Sequence, residues 1–171
     1  MYYYSDKIIA KKSKKGEEMS YEEYYKKWLR DNGDLVLWVD KHINFKINFP
    51  KLILEDEEDD SCACAETTKK IDEIIEAKFE HKFKISSEPN FDCNGEVYDC
   101  WVGAYLTEEA KNDAFEEPIF AYSIIDKCKP VYIVFKVERE FGEGDDYYKE
   151  CEYYSIEEIK KDLKVLQTKA A

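Results

Sequence analysis

Apolar and polar positions alternate most cleanly near the C-terminal end of the chain. From Pro130 onward, Val131, Ile133, Phe135 and Val137 fall on one side, and Tyr132, Val134, Lys136 and Glu138 on the other. A period of two carried by β-branched and aromatic residues predicts a strand. Pro130 suits its first position, because proline has no N–H to give to a ladder. Gly142 to Asp146 supplies residues that tolerate positive φ. The pattern therefore predicts a hairpin whose return strand runs from Tyr147 to about Tyr154. Neither side of that return strand is purely apolar: Tyr147, Lys149, Cys151 and Tyr153 alternate with Tyr148, Glu150, Glu152 and Tyr154. Such a strand belongs near a sheet edge or in partial contact with water. The period then becomes helical. Ser155 and Glu158 make a capping box, and Ile156, Ile159, Leu163 and Leu166 form one apolar stripe behind it.

The same reading extends through the rest of the chain. Tyr2 to Ala10 reads as a strand. Ser20 opens a helix with Tyr21, Tyr24, Tyr25, Trp28 and Leu29 on its apolar side, and Asn32-Gly33 is expected to stop it. Leu35 to Val39 and the alternating Ile43, Phe45, Ile47 and Phe49 read as strands. Pro50 ends the second, and Leu52 to Leu54 extends the sheet past a bulge. A helix starting at Thr67 or Thr68 turns Ile71, Ile74, Ile75, Lys78 and Phe79 inward, and Phe83 and Ile85 suggest a short strand. Asn94-Gly95 signals a two-residue hairpin between Phe91–Cys93 and Glu96–Leu106. Thr107 caps a short helix to about Phe115, and Ile119 to Ile125 is a further strand. Hairpins dominate, and long βαβ alternation is absent. The expected class is α+β: a mostly antiparallel sheet of five to seven strands with three to four helices packed mainly on one face. One domain spanning residues 1–171 is expected, with an acidic loop at 55–61 and a frayed tail at 168–171.

Charge changes this picture more than composition does. The net charge is −13, and it is uneven: residues 1–50 balance at +2 and residues 51–171 at −15. Most of the chain therefore repels nucleic acid and anionic membrane, and direct binding to either is not expected. No apolar run is long enough to span a bilayer and the first residues do not read as a signal peptide, so a cytoplasmic location is expected. In that setting the six cysteines are expected as reduced thiols. The excess of tyrosine (14 residues) suits half-exposed sheets and binding surfaces, since the ring buries area while the hydroxyl stays wet.

The chemistry-bearing residues do not converge on a motif. Cys62-Ala63-Cys64 with Cys93 and Cys100 is a poor match to zinc spacing, and incidental thiols are the stronger reading. The run of carboxylates from Glu55 to Asp60 lacks the alternating ligands and central glycine of a calcium loop. No metal and no cofactor is therefore expected. A metal-dependent hydrolase would draw on Asp92, Asp99, Asp126 or the Glu76/Lys78 pair, but that pair is expected to diverge on a helix. No catalytic residue is assigned, and the balance is against an enzyme.

Recurrent acidic pairs remain. Asp59-Asp60, Glu116-Glu117 and Asp145-Asp146, the last followed by Tyr147 and Tyr148, are the candidate partner-binding residues. Spaced carboxylates can imitate a phosphate array and occupy a basic groove, with aromatic side chains as anchors. The expected function is an acidic binding protein that inhibits or sequesters a basic protein, foremost a nucleic-acid-binding one. In charge and size, though in no motif, the chain resembles small phage and mobile-element proteins that block host defence nucleases, anti-CRISPR proteins among them. The alternatives are the metal-dependent nuclease above and a toxin-neutralising immunity protein, which needs the same kind of acidic surface.

Overall fold

The computed structural model describes residues 19–52 and 60–170, the side chains of residues 60–63 and 170 excepted. Among the described residues four helices, α1 (Tyr21–His42), α2 (Asp60–Lys78), α3 (Glu108–Asn112) and α4 (Ile156–Ala170), accompany five strands: β1 (Lys84–Phe91), β2 (Val97–Tyr105), β3 (Phe120–Ile125), β4 (Pro130–Phe141) and β5 (Tyr148–Ser155). The strands form one antiparallel sheet in chain order, β1-β2-β3-β4-β5, so the class is α+β as the pattern predicts. The strand candidate at Tyr2 to Ala10 and most of the acidic run lie outside the described residues. By contacts the chain groups into two compact units, one holding residues up to Leu37 and from Phe135 onward, the other Trp38–Val134.

In the Trp38–Val134 unit, α2 lays Ile71, Ile75 and then Phe79 onto the sheet, and all three are fully buried. The helix begins at Asp60, well before the expected Thr67 or Thr68, because residues 60–66 contain no glycine or proline to delay it. Thr67 is instead buried inside it. Phe79 contacts the rings of Phe83, Phe120 and Tyr122 at centroid distances of 5.7, 5.6 and 6.4 Å. β1 pairs with β2 from Lys84↔Tyr105 to Asn90↔Asp99, then slips at Phe91. The expected short strand at Phe83 and Ile85 is thus the start of an eight-residue one.

Two expectations in this unit need correction. Asn94-Gly95 does form a turn, but a five-residue one (92–96). The Asp92 carboxylate accepts from the N–H groups of Asn94 (2.8 Å) and Glu96 (2.9 Å), which stabilises a wider loop. Gly95 has φ +77°, and a Cβ there would meet the Leu52 carbonyl oxygen at 2.5 Å, so this glycine serves both the turn and a close approach. The alternating stretch Ile43–Phe49 is not a strand. Ile43 and Ile47 are buried and their polar neighbours exposed, but the Phe45 N–H bonds back to the Ile43 carbonyl (2.8 Å), a three-residue turn that prevents a ladder.

In the other unit, Gly33 does not end α1, and Leu35 to Val39 is helix, not strand. Gly33 is buried against α4: a Cβ there would lie 2.9 Å from Leu163 Cδ2. The missing side chain lets two helices approach, which a one-dimensional pattern reads as a stop. The Ser155 capping box forms as predicted. Glu158 N–H donates to Ser155 Oγ (3.1 Å) and Ser155 N–H to Glu158 Oε2 (2.8 Å). β5 is the edge strand that its mixed faces imply. Three of the fourteen tyrosines lie in the first turns of α1. Tyr25 stacks on Tyr154 (4.5 Å) and donates to Asp162 Oδ2 (2.7 Å), and the Tyr24 hydroxyl donates to the Glu138 carbonyl. β4 departs from simple alternation. Tyr132, which belongs to the Trp38–Val134 unit, has φ +56°, and Phe135, Lys136 and Val137 are buried in succession. Lys136, expected on the polar side, is buried with Glu138 Oε2 3.3 Å from its ammonium.

Candidate interaction surface

The most exposed large apolar side chain among the described residues is Phe115, 94% accessible. The chain builds a fixed platform to present it. Thr107 accepts from the Ala110 N–H (3.0 Å) and starts α3, and Asp113 ends that helix with its N–H on the Ala110 carbonyl (3.3 Å). The Asp113 carboxylate then accepts from the Phe115 N–H (2.9 Å), while its carbonyl accepts from the Glu116 N–H (3.2 Å). This side-chain turn fixes the backbone on both sides of Phe115. Pro118 closes the loop, and Ile119 N–H returns to the sheet at the Ala104 carbonyl (2.8 Å). The pattern expects a helix to about Phe115, but Asp113 stops it at Asn112 by offering the backbone a competing hydrogen bond.

Carboxylates flank Phe115 along the chain, Asp113 before it and Glu116-Glu117 after it. Tyr105 is held above the ordinary tyrosine pKa, first by burial and then by the negative charges of Glu88, Glu117 and Glu116. The charges of Glu88, Glu116 and Glu117 all act on Tyr105, and Phe115 directly precedes two of them in the chain. Glu116 and Glu117 were legible in the sequence as an acidic pair. Phe115, which gives the pair an anchor, was not. Its signal is a large apolar residue outside any helical or strand period, enclosed by Asp113 and Glu116-Glu117-Pro118.

The other candidate residues fall as follows. Asp145 and Asp146 are exposed in a 3₁₀ turn (Gly144–Asp146) at the tip of the β4–β5 hairpin. Gly142, at φ +89°, makes that turn possible, since a Cβ there would collide with the Asp146 carbonyl oxygen. Tyr147 follows, 49% accessible, whereas Tyr148 stacks on Phe141 (5.4 Å) and is half-buried. Asp59 lies outside the described residues. Asp60 is the first residue of α2, so residues 60 and 61 are helical and not part of an acidic loop.

Most of the carboxylates considered for a hydrolase are engaged elsewhere. Glu76 Oε1 accepts from the Ile85 N–H (3.0 Å), tying α2 to β1, while Lys78 reaches over the Phe45 ring (5.9 Å). Asp92 holds its turn, Asp99 accepts from Asn90, and Asp126 sits in a left-handed turn with Lys127. Among the described residues no three His, Cys, Asp or Glu side chains cluster as a metal site. Cys100 is buried, and desolvation pushes its thiol up to about 12, which keeps it protonated and a poor nucleophile at neutral pH. Cys64, Cys93 and Cys128 are reduced thiols. His42 stacks on Trp38 (3.9 Å) with Nδ1 2.8 Å from its carbonyl, and His81 is an exposed residue at φ +60°.

Asp72 is a buried polar group that the sequence reading missed. Asp72 of α2 accepts from both the N–H (2.9 Å) and the hydroxyl of Ser87 on β1, and faces Lys111 of α3 at 3.6 Å. It is a strut between elements. Burial raises its carboxyl above the usual 3.8, a shift that outweighs the opposing pull of Ser87 and Lys111. The sign follows. Just above the ordinary carboxyl value the folded chain keeps a proton that the unfolded chain has lost, so stability attributable to Asp72 falls as pH rises through the folded value. Asp72→Asn should remove that downward slope. The check is the urea midpoint of the variant against wild type between about pH 4 and pH 7; parallel curves would refute it.

The chain matches no family model, no curated protein and no solved structure. No helix among the described residues is long and apolar enough to cross a membrane.

Proposed function

We propose that the protein is a non-enzymatic binding protein that docks an acid-flanked aromatic loop on a basic partner, foremost a nucleic-acid-binding one, and blocks its groove. The observation that carries this reading is Phe115, almost wholly exposed on a hydrogen-bonded platform between Asp113 and Glu116-Glu117. Carboxylates speed encounter with a basic surface, and a rigid aromatic ring supplies lifetime at little entropic cost. The β4–β5 tip repeats the combination, with Asp145 and Asp146 followed by exposed Tyr147. An inhibitor of a defence nuclease, of the anti-CRISPR kind, is the form favoured by size and a charge of −13. A toxin-neutralising immunity protein would use the same surface, and the identity of the captured partner separates the two.

The test is a pull-down from nuclease-treated host lysate, followed by affinity measurement on the captured protein. A basic nucleic-acid-binding protein should be retained at low salt and displaced by DNA or RNA. Phe115→Ala should weaken binding about 30-fold, the effect of losing an anchor worth about 2 kcal/mol. Glu116→Lys with Glu117→Lys should mainly slow association and flatten its salt dependence. Unchanged affinity in both variants would overturn the reading.

A further inference from the structure

We propose that the groove between α1 and α4 is a docking site for the Phe115 loop of a second copy of this chain. The groove has a volume of about 490 Å³, within the range of sites that enclose large apolar groups. Leu37, Leu163 and Leu166 give it an apolar lining, and Gly33 at its floor offers no side chain. Leu37 is 42% accessible, an apolar side chain left uncovered on an otherwise packed helix. Around these lie Lys26, Arg30 and Lys169, with Asp34 as the one carboxylate.

Three cations around an apolar groove stand out in a chain of net charge −13. A basic partner would be repelled there, whereas an apolar group flanked by carboxylates fits both parts of the site. The chain itself carries such a group: Phe115, with Asp113 on one side and Glu116-Glu117 on the other. Lys26 is paired with Glu22 at 3.4 Å, but both side chains are well exposed, and a pair of that kind is easily exchanged for an incoming carboxylate. The contact joins different surfaces on the two copies. Each dimer therefore retains one free groove and one free loop, and association continues with concentration unless a ring closes. It also covers Phe115, so self-association and docking on a basic partner compete. The inference does not depend on such a partner existing.

The experiment is sedimentation velocity of the full chain over a wide concentration range, at low and high salt. Wild type should associate with rising concentration, and added salt should weaken that association. Phe115→Ala retains the groove and loses the ring. Leu37→Glu retains the ring and puts a charge into the groove. Both positions are exposed, so both variants should fold, which circular dichroism checks. Each variant alone should be monomeric at concentrations at least tenfold above those at which wild type associates. Mixed together, they should form a heterodimer that grows no further, because one intact loop meets one intact groove. A monomeric wild type, association that persists in either variant, or a mixture that stays monomeric would each overturn the proposal.

Discussion

Arg139→Ala should destabilise the protein by about 3–5 kcal/mol, the range for removing one partner of a buried ion pair. The Arg139 and Glu150 side chains are only 7% and 11% exposed, and Nη2 lies 3.0 Å from Oε2. The guanidinium also donates through Nη1 to the Met19 carbonyl (2.9 Å) and rests 4.8 Å from the Phe141 ring centroid. Truncation thus removes cation–π contact and a link to the start of α1, and leaves a buried carboxylate without its guanidinium. The pair itself is not a large net gain, since both charges were taken from water and Arg139 Nε finds no acceptor among the described residues. The double variant Arg139→Met, Glu150→Leu should therefore recover most of the loss, to within about 1–2 kcal/mol of wild type. Urea unfolding followed by fluorescence checks both, because Trp28 reports on the same unit through its edge contact with Phe135 (6.5 Å). A cost under about 1 kcal/mol for Arg139→Ala would mean that the pair is hydrated.

This ion pair also shows where sequence reading stops. The alternation of β5 was enough to place it at an edge, because mixed faces cannot be buried on both sides. It could not show that Glu150 is matched by Arg139, since pairing across strands depends on register. The Ser155 capping box was legible because it is local: donor, acceptor and spacing lie within four residues. Gly33 was misread for the opposite reason: it answers to a distant neighbour, Leu163. The Ile43–Phe49 stretch carries a true period of two, yet burial can alternate along an extended segment that has no ladder partner.

The same limit applies to charge. The sequence counts carboxylates, but not what they do. Asp72, Glu76, Asp92, Glu138 and Glu150 all hold the fold together through hydrogen bonds or ion pairs. The acidity left for a partner is therefore smaller than the net charge suggests. Glu116-Glu117 and Asp145-Asp146 were legible as doublets, but only the structure shows an exposed ring beside each. Carboxylates alone give a solvated surface; a ring fixed among them gives a place to bind.

Phe79→Ala should cost about 3–5 kcal/mol, for reasons independent of charge. The side chain is fully buried, and its ring meets those of Phe45, Phe83, Phe120, Tyr122 and Trp38 at 5.7, 5.7, 5.6, 6.4 and 6.3 Å. Phe120 and Tyr122 are fixed on β3 and Phe83 lies just before β1, so the surroundings have little freedom to collapse into the space left. Helix propensity will not offset the loss. Phe79 follows the last residue of α2, where Glu80 and His81 take left-handed conformations and the His81 N–H closes on the Glu76 carbonyl (2.8 Å). Alanine's preference for helix therefore has little to act on. Phe79→Leu keeps most of the volume and should cost about 1.5 kcal/mol or less. Fluorescence-detected urea unfolding measures both, with Trp38 as the adjacent reporter. Because Phe115 lies on its own hydrogen-bonded loop, folded Phe79→Ala protein should keep its partner affinity while losing stability. A loss of affinity matching the loss of stability would show that the Phe115 platform depends on this aromatic cluster.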